Sequence, residues 1–425
     1  ATRPEIIRGI PVHRALRVLR AAWLRGGIGE PYSSAVVTSQ MDEFWSHSWQ
    51  TPPYMKYACV LYLNNALPAF LLGVLFASVA AILYTAGILP EVYGFRIDIL
   101  SAWCVPAGVF GYYAGLLLWQ RPKLVFLDAA CIDQTHSLHK AEGLVSMGAF
   151  LKQSKSMIVL FHKSYTSRLW CVFELAAFLH SQSGRKADLV VYPVSVGPVF
   201  LTGHLGVSLL MALFVFTPSD LEYMPWGLLF LVALCFPSLA ILGYAMIVHC
   251  QSTDEIHQQI CNFTVERSSC GCCALNHVSQ TGEPIACDRQ IICRCIMAWF
   301  GSLESFEDHV RGKVRAMLVQ QLMQDAFSYW HMVQVMSPVM FSHLDIVASR
   351  AREYGWFSAY TLGVLILIVR DCFVVLPNMV LVQLQLAYRL RKICDTGLKR
   401  LLFSFLLVLG GVLMYLASRV VVTVC

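Results

Sequence analysis

The sequence predicts a multi-pass α-helical membrane protein that also carries an α/β unit, and two observations support that expectation. The first is composition. Of 425 residues, 57% are hydrophobic and only 14% are charged, with a mean hydropathy of +0.59, so there are too few polar side chains for an ordinary soluble globule. The second is the stretch 123–180, in which residues 124–127 and 157–161 form short apolar runs separated by a helical pattern. Parallel strands buried on both faces read this way.

The membrane part comes first. Residues 66–89, 99–119, 199–216 and 223–248 are each long enough to cross about 30 Å of hydrocarbon as a helix, and none contains Lys, Arg, Asp or Glu. Pro68, Pro106 and Pro237 fall inside these runs, but neighbouring helices re-satisfy freed carbonyls within a membrane. The links between spans set the orientation. Residues 90–98 hold Glu91 and Asp98 against Arg96, residues 217–223 hold only Asp220 and Glu222, and the flanking segments hold most of the Lys and Arg. The positive-inside bias then turns both hairpin tips away from the cytosol and leaves the strand-forming pieces together on the cytosolic side.

Two ends of the chain are harder to assign. Residues 356–388 are apolar apart from Arg370 and Asp371, and 401–418 form another run, which gives six spans in all. The Arg370–Asp371 pair reads either as a buried ion pair facing the protein interior or as a hydrated break near the interface, and the second is slightly favoured. At the other end, Val12, Leu16, Leu19 and Trp23 share one helical face, with Arg14, Arg17 and Arg25 largely opposite. That pattern fits a helix lying in the membrane interface, with an organelle transit segment as the competing reading.

Within the α/β part, Leu144, Met147, Gly148 and Leu151 fall at helical spacing between the two strands. Ser167 follows the second strand as an expected N-cap. The helix after it aligns Trp170, Glu174 and Phe178. A carboxylate on an apolar row must reach a polar cleft or be paired, because burying it bare costs on the order of several kcal/mol.

These residues resemble a TIR domain, the Toll/interleukin-receptor type of flavodoxin-like module. Residues 44–49 (Phe-Trp-Ser-His-Ser-Trp) are similar to the first TIR strand, 51–65 to the helix after it, and Phe126, Leu127 and Asp128 to the end of the second strand. Residues 149–154 and 157–160 resemble the next helix and third strand, Trp170, Cys171, Glu174 and Leu175 match a Trp-Cys-x-x-Glu-Leu signature, and 189–194 resemble the fourth strand. The match covers about a third of the chain and departs from the family in two places. About fifty mostly apolar residues intervene between the first helix and second strand, and the chain turns hydrophobic after Val194, where a fifth strand belongs. The arrangement as a whole resembles multi-pass TIR-like proteins of dinoflagellate algae, a likeness that implies no activity.

The expected organisation is therefore an amphipathic N-terminal segment (1–40), the first strand and helix of the TIR-like unit (41–65), a transmembrane hairpin (66–119), the main TIR-like unit (120–198), a second hairpin (199–248), a cytosolic Cys-rich helical subdomain (249–355) and C-terminal spans (356–425). The fold class is a multi-pass α-helical membrane protein with a split flavodoxin-like α/β cytosolic unit. The resemblance implies a strand order 2-1-3-4, with a crevice beyond the carboxyl ends of the first and third strands.

The resemblance also implies chemistry. TIR enzymes that cleave NAD at the nicotinamide bond use a glutamate at the position Glu174 matches, where a carboxylate stabilises the developing oxocarbenium more than the ground state. Ser46, His47 and Ser48, then Asp128, then His162, Lys163 and Ser164 follow the strands, and with Trp170 they are the expected NAD-binding residues. The alternative is a glutamate that only anchors its helix, since many TIR domains are scaffolds without activity.

A second constellation comprises Cys261, Cys270, Cys272, Cys273, His277, Cys287, Cys293 and Cys295. Thiolate and imidazole at this density suit Zn²⁺. The spacing lacks paired Cys-x2-Cys knuckles, so free thiols in a reduced compartment remain the competing reading.

Three function classes follow: a membrane-anchored TIR-like signalling or interaction protein, a membrane-tethered NAD hydrolase, and a transporter or channel with a regulatory α/β domain. The third is weakened because the first four runs hold no ionisable residue beyond His204. Expected partners are the lipid bilayer and other TIR-like domains by self-association, with no nucleic acid.

Overall fold

The computed structural model describes residues 3–26, 31–92, 101–133, 136–181, 188–216, 225–274, 276–278, 287–324 and 327–424. The charged hairpin tips read for orientation lie mostly outside these residues (93–98 and 217–223). The chain divides into two compact units, one of residues 1–60, 120–196 and 252–326, the other of residues 61–119, 197–251 and 327–425.

The first unit is built on a six-stranded mixed sheet. Its strands are β1 (Arg8–Pro11), β2 (Val36–Val37), β3 (Met41–His47), β4 (Leu124–Phe126), β5 (Ser154–Phe161) and β6 (Leu189–Pro193), in the spatial order β2-β1-β4-β3-β5-β6. The central run β4-β3-β5-β6 is parallel throughout, with Phe44 level with Phe126 on one side and Met157 on the other. This is the 2-1-3-4 order expected of the four strands. Central burial explains their composition. Phe44, Phe126 and Met157 are fully buried, Phe44 stacks on Phe126 at 4.4 Å, and Phe126 meets Phe150 at 4.6 Å.

Two strands lie outside the sequence expectation. β1 pairs antiparallel with β4 (Ile10 opposite Val125), and β2 pairs antiparallel with β1. The helix Val12–Arg25 that follows buries Val12, Ala15, Leu16, Leu19 and Ala22. The face Val12, Leu16 and Leu19 is therefore covered by protein rather than left open as an interface helix requires; Trp23, against Tyr57, and Leu24 near the helix end are exposed.

At the opposite edge no fifth strand follows β6. The chain enters the helix Val196–Phe216, and the Gln321 side chain meets the open edge, accepting from the Val191 N–H and donating to the Leu189 carbonyl, both at 2.9 Å. A side-chain amide thus satisfies backbone groups that a neighbouring strand would otherwise have to pair.

The helical layer between β4 and β5 breaks at Ser146 into Ser137–Val145 and Met147–Gln153. Met147 and Leu151 are buried as the stripe required, while Gly148 faces the Trp299 ring, where a Cβ would come within 2.7 Å of Cζ2. Trp299 also stacks on Phe173 at 5.4 Å. Its helix, Asp288–Phe300, ends at Gly301 with φ of 81°, and Ser302 caps the next helix by accepting from the Ser305 N–H at 3.0 Å. Glycine there gives the positive φ that a helix end needs at no steric cost.

Among the described residues, four helices are long and apolar enough to cross a membrane: Pro53–Thr85, Val196–Leu213, Ala359–Leu390 and Gly397–Tyr415. Of the expected span 99–119, residues 99 and 100 lie outside the description and the rest contains a fifteen-residue helix, Cys104–Leu118. Of the expected span 223–248, residues 223 and 224 lie outside the description and the rest lies within the helix Pro225–Cys261.

In this second unit, Cys104–Leu118 packs closely on Pro53–Thr85 because Gly111 and Gly115 present no side chain. A Cβ at Gly111 would lie 2.8 Å from the Leu72 carbonyl oxygen, and one at Gly115 would lie 2.9 Å from the Ala69 Cα. The N-terminus of Cys104–Leu118 is capped from another helix: Asp345 accepts from the Cys104 and Val105 N–H groups at 2.8 and 3.1 Å and from the Ser101 hydroxyl at 2.8 Å. Asp371 is fully buried in a π-helical turn, Asp371–Val375, within 3.2 Å of Arg370, 3.4 Å of His343 and 3.3 Å of the Tyr415 hydroxyl. Asp371 is thus buried and paired rather than wet as the slightly favoured hydrated break required, while Arg370 is partly exposed.

Candidate functional site

The helix Leu169–Ser181 carries Glu174 into the first unit, where the residue is 3% exposed. Ser167 does not cap this helix: its hydroxyl donates to the Ser164 carbonyl at 2.9 Å. The helix is instead fastened through its approach segment, where Ser269 accepts from the Leu169 N–H at 3.1 Å and donates its own N–H to the Ser167 carbonyl at 2.7 Å. Arg168 and Trp170 are thereby held beside the segment that begins the Cys-rich region.

The Glu174 carboxyl meets the Ser46 hydroxyl at 2.6 Å, Ser46 lies 2.7 Å from the Tyr165 hydroxyl, and Tyr165 donates to the Cys171 carbonyl at 3.0 Å. Ser46 donates to the carboxyl and so links Glu174 to the Tyr165 hydroxyl. The protonation of Glu174 is governed by its burial. Burial pushes Glu174 up from 4.5 to about 8, against the Ser46 hydrogen bond and helped by the charge of Asp128, with a smaller opposing pull from Trp170. Tyr165 and Cys171 are also pushed well above their ordinary values by burial.

Beyond the carboxyl ends of β3 and β4 lies a cleft of about 310 Å³, lined by His47, Trp49, Asp128, Lys140, Arg168 and Trp170, with Cys171, Cys270, Cys272 and Asp288 completing its wall. Asp128 accepts from the Trp49 indole at 2.6 Å, and one of its oxygens stands 3.7 Å from His47 Nε2. His47 is held at about 4, since burial and then the nearby Lys56 charge disfavour its cation more than Asp128 favours it. The imidazole is neutral near pH 7 and available to exchange hydrogen bonds with a ligand.

Of the site residues expected from sequence, His47, Asp128 and Trp170 line this cleft. Ser46 and Glu174 lie behind its wall, joined to each other. Ser48, His162 and Ser164 form a separate group: Ser164 donates to the Ser48 hydroxyl at 2.9 Å and contacts His162 Nδ1 at 2.9 Å. Lys163 is exposed. The cavity therefore opens beside β4 rather than between β3 and β5, because the Ser48–Ser164 contact joins the ends of those two strands. Trp49, Lys140, Arg168 and Asp288 were not anticipated. Trp49 closes the motif 44–49, Arg168 stands two residues before Trp170 and Asp288 one after Cys287, so adjacency was the signal available for these three. Lys140 gave none.

In the Cys-rich region, donor atoms of Cys272, Cys273, His277 and Cys287 all lie within 4.8 Å of one another, as do those of Cys270, Cys272 and Asp288. Cys261 belongs elsewhere, its sulfur accepting from Arg315 at 3.2 Å. Cys293 and Cys295 lie on the helix Asp288–Phe300, outside both groups. Comparison with protein-family models, with curated proteins and with solved structures finds no match to this chain.

Proposed function

We propose that the chain is a membrane-anchored signalling or interaction protein of the TIR-like type, in which the α/β unit faces the cytosol, recognises partners and does not turn over NAD. The observation that carries this reading is the burial of Glu174 against Ser46. A residue that stabilises a cationic transition state must present negative charge to the substrate. This one is buried behind the cleft wall, hydrogen-bonded to Ser46 and favoured in its protonated form. The cleft in front of it, with its indoles, a neutral imidazole and charges of both signs, suits recognition of a polar ligand or of a segment from another copy.

The NAD-hydrolase reading is favoured by one observation, the position of Trp170, which lines the cleft one helical turn before Glu174. It requires the carboxyl to leave Ser46 and ionise. The test uses the full chain in lipid nanodiscs, following nicotinamide release by chromatography and copy number by single-molecule photobleaching. Association of two or more copies without nicotinamide release supports the proposal. Nicotinamide release that disappears in Glu174→Gln overturns it in favour of the hydrolase, and single copies at all surface densities overturn self-association.

A further inference from the structure

We infer that Cys272, Cys273, His277 and Cys287 bind one Zn²⁺ as a closed structural site, which fixes the wall of the cleft. The proposal is independent of whether the unit hydrolyses NAD. Its first support is spacing. The Cys272 and Cys273 sulfurs are 3.9 Å apart, and so are those of Cys273 and Cys287. A tetrahedral centre with Zn–S bonds of about 2.3 Å requires its sulfurs to be about 3.8 Å apart. The fourth donor lies in the same cluster, with all four donor atoms within 4.8 Å of one another.

The second support is the histidine. His277 Nδ1 is buried without a hydrogen-bond partner, a costly condition for an imidazole nitrogen and one that a metal bond relieves. The backbone is shaped to bring that ring back to the cysteines. Asn276 and His277 have φ of 50° and 60°, sparsely populated values for residues with side chains. The resulting turn returns the Asn276 and His277 N–H groups to the carbonyls of Cys273 and Cys272 at 3.2 and 2.9 Å.

The third is the surrounding support. The Asp288 N–H donates to Cys272 Sγ at 3.2 Å, as a backbone amide does when it stabilises a thiolate ligand. Three soft donors and an imidazole select zinc over hard cations such as Mg²⁺ or Ca²⁺. The neighbouring Cys270, Cys272 and Asp288 group offers only three donors, one of them a carboxylate, and would leave the centre open. Cys272 lines the cleft and Ser269 carries the link to the Leu169–Ser181 helix, so a metal here ties Cys273, His277 and Cys287 to the cleft wall.

The test is metal analysis of the full chain, produced without a polyhistidine tag and purified in detergent. One zinc per chain is expected, with tetrahedral thiolate-rich d–d and sulfur-to-metal bands when Co²⁺ replaces it. Cys287→Ser and His277→Ala should lower zinc to well below one per chain, while Cys293→Ser and Cys295→Ser, outside the cluster, should leave it unchanged. Should the cluster variants fail to fold, chelation and Co²⁺ reloading of the wild-type chain still decide the matter. A chain with no bound zinc, a disulfide within the cluster by non-reducing mass spectrometry, octahedral Co²⁺ bands, or full zinc in both cluster variants overturns the proposal.

Discussion

Replacing Glu174 by Gln should remove one component of the pH dependence of stability and leave the packing unchanged. The folded carboxyl holds its proton up to about 8, against 4.5 when unfolded. Between those values the folded state binds more protons than the unfolded state, so this group's contribution is greatest below 4.5 and is lost as pH rises to about 8. At about 1.4 kcal/mol per tenfold change in proton affinity, the interval corresponds to on the order of 5 kcal/mol. His47 acts in the opposite direction. Its folded value of about 4 lies below 6.5, so its contribution is present above 6.5 and lost as pH falls to about 4, on the order of 3 kcal/mol. The two slopes oppose each other up to pH 6.5, and above it only Glu174 titrates among the pair. Gln keeps an amide oxygen that accepts from the Ser46 hydroxyl as the carboxyl does, and it cannot ionise. In detergent, the thermal midpoint of Glu174→Gln should therefore rise relative to wild type as pH goes from 4.5 to 8. The groups around Glu174, namely Asp128, Tyr165, Cys171, Lys56 and His47, are the same in both proteins and cancel in the difference. A carboxylic acid C=O infrared band in wild type, absent from the variant at pH 7, gives the same information directly. Parallel midpoints across that range, or no such band, would refute the neutral Glu174 and with it the argument against catalysis.

Two further outcomes concern the second unit. Gly115→Val should destabilise it by about 1–3 kcal/mol through overpacking, since its Cβ would sit 2.9 Å from the Ala69 backbone; Gly363→Val, where nothing lies within 4 Å of a Cβ, is the control in the same thermal assay, and equal effects would discount the close helix contact. Asp345→Ala leaves the Ser101, Cys104 and Val105 donors without their acceptor and should cost about 1–3 kcal/mol for each donor left buried. Asp345→Asn, which keeps one acceptor oxygen, should lose less, and an indistinguishable pair of midpoints would argue against the capping role.

The parallel strands were legible because strands buried on both faces leave continuous apolar runs, and β5 and β6 lie near the positions those runs mark. β1 was not legible: Arg-Gly-Ile-Pro is four residues long and contains two that weaken a strand pattern. It forms because Ile10 pairs beside Val125, a partner more than a hundred residues away. The Val12–Arg25 helix exposes a different limit. Its periodicity reports an apolar face, but not what covers it, and lipid and protein leave the same pattern in sequence. Glu174 was singled out correctly as a carboxylate on an apolar row. Its partner Ser46 was among the expected site residues, but the resemblance assigned both to a ligand and not to each other.

The cleft itself was the least legible feature, and the reason is topological. Its floor comes from residues that follow β3 and β4, while its wall comes from Arg168 and Trp170 together with Cys270, Cys272 and Asp288, about a hundred residues later in the chain. The two parts of the wall are joined at Ser269 by two backbone hydrogen bonds and one from its hydroxyl to the Ser167 carbonyl, reinforced by Arg289, which donates to the Val265 and Ser268 carbonyls. A joint this small would fray if residues 270–274 were free to move, since each net hydrogen bond contributes only about 1 kcal/mol against about 1–2 kcal/mol for fixing each residue's backbone. A metal bridging Cys272, Cys273, His277 and Cys287 would cross-link those residues and lower the entropy lost on docking them. A zinc at these residues would on this argument be mechanically linked to the cleft. Chelation should therefore weaken any ligand bound against Arg168 and Trp170 without touching a residue that contacts it, and a ligand affinity indifferent to zinc removal would break the link.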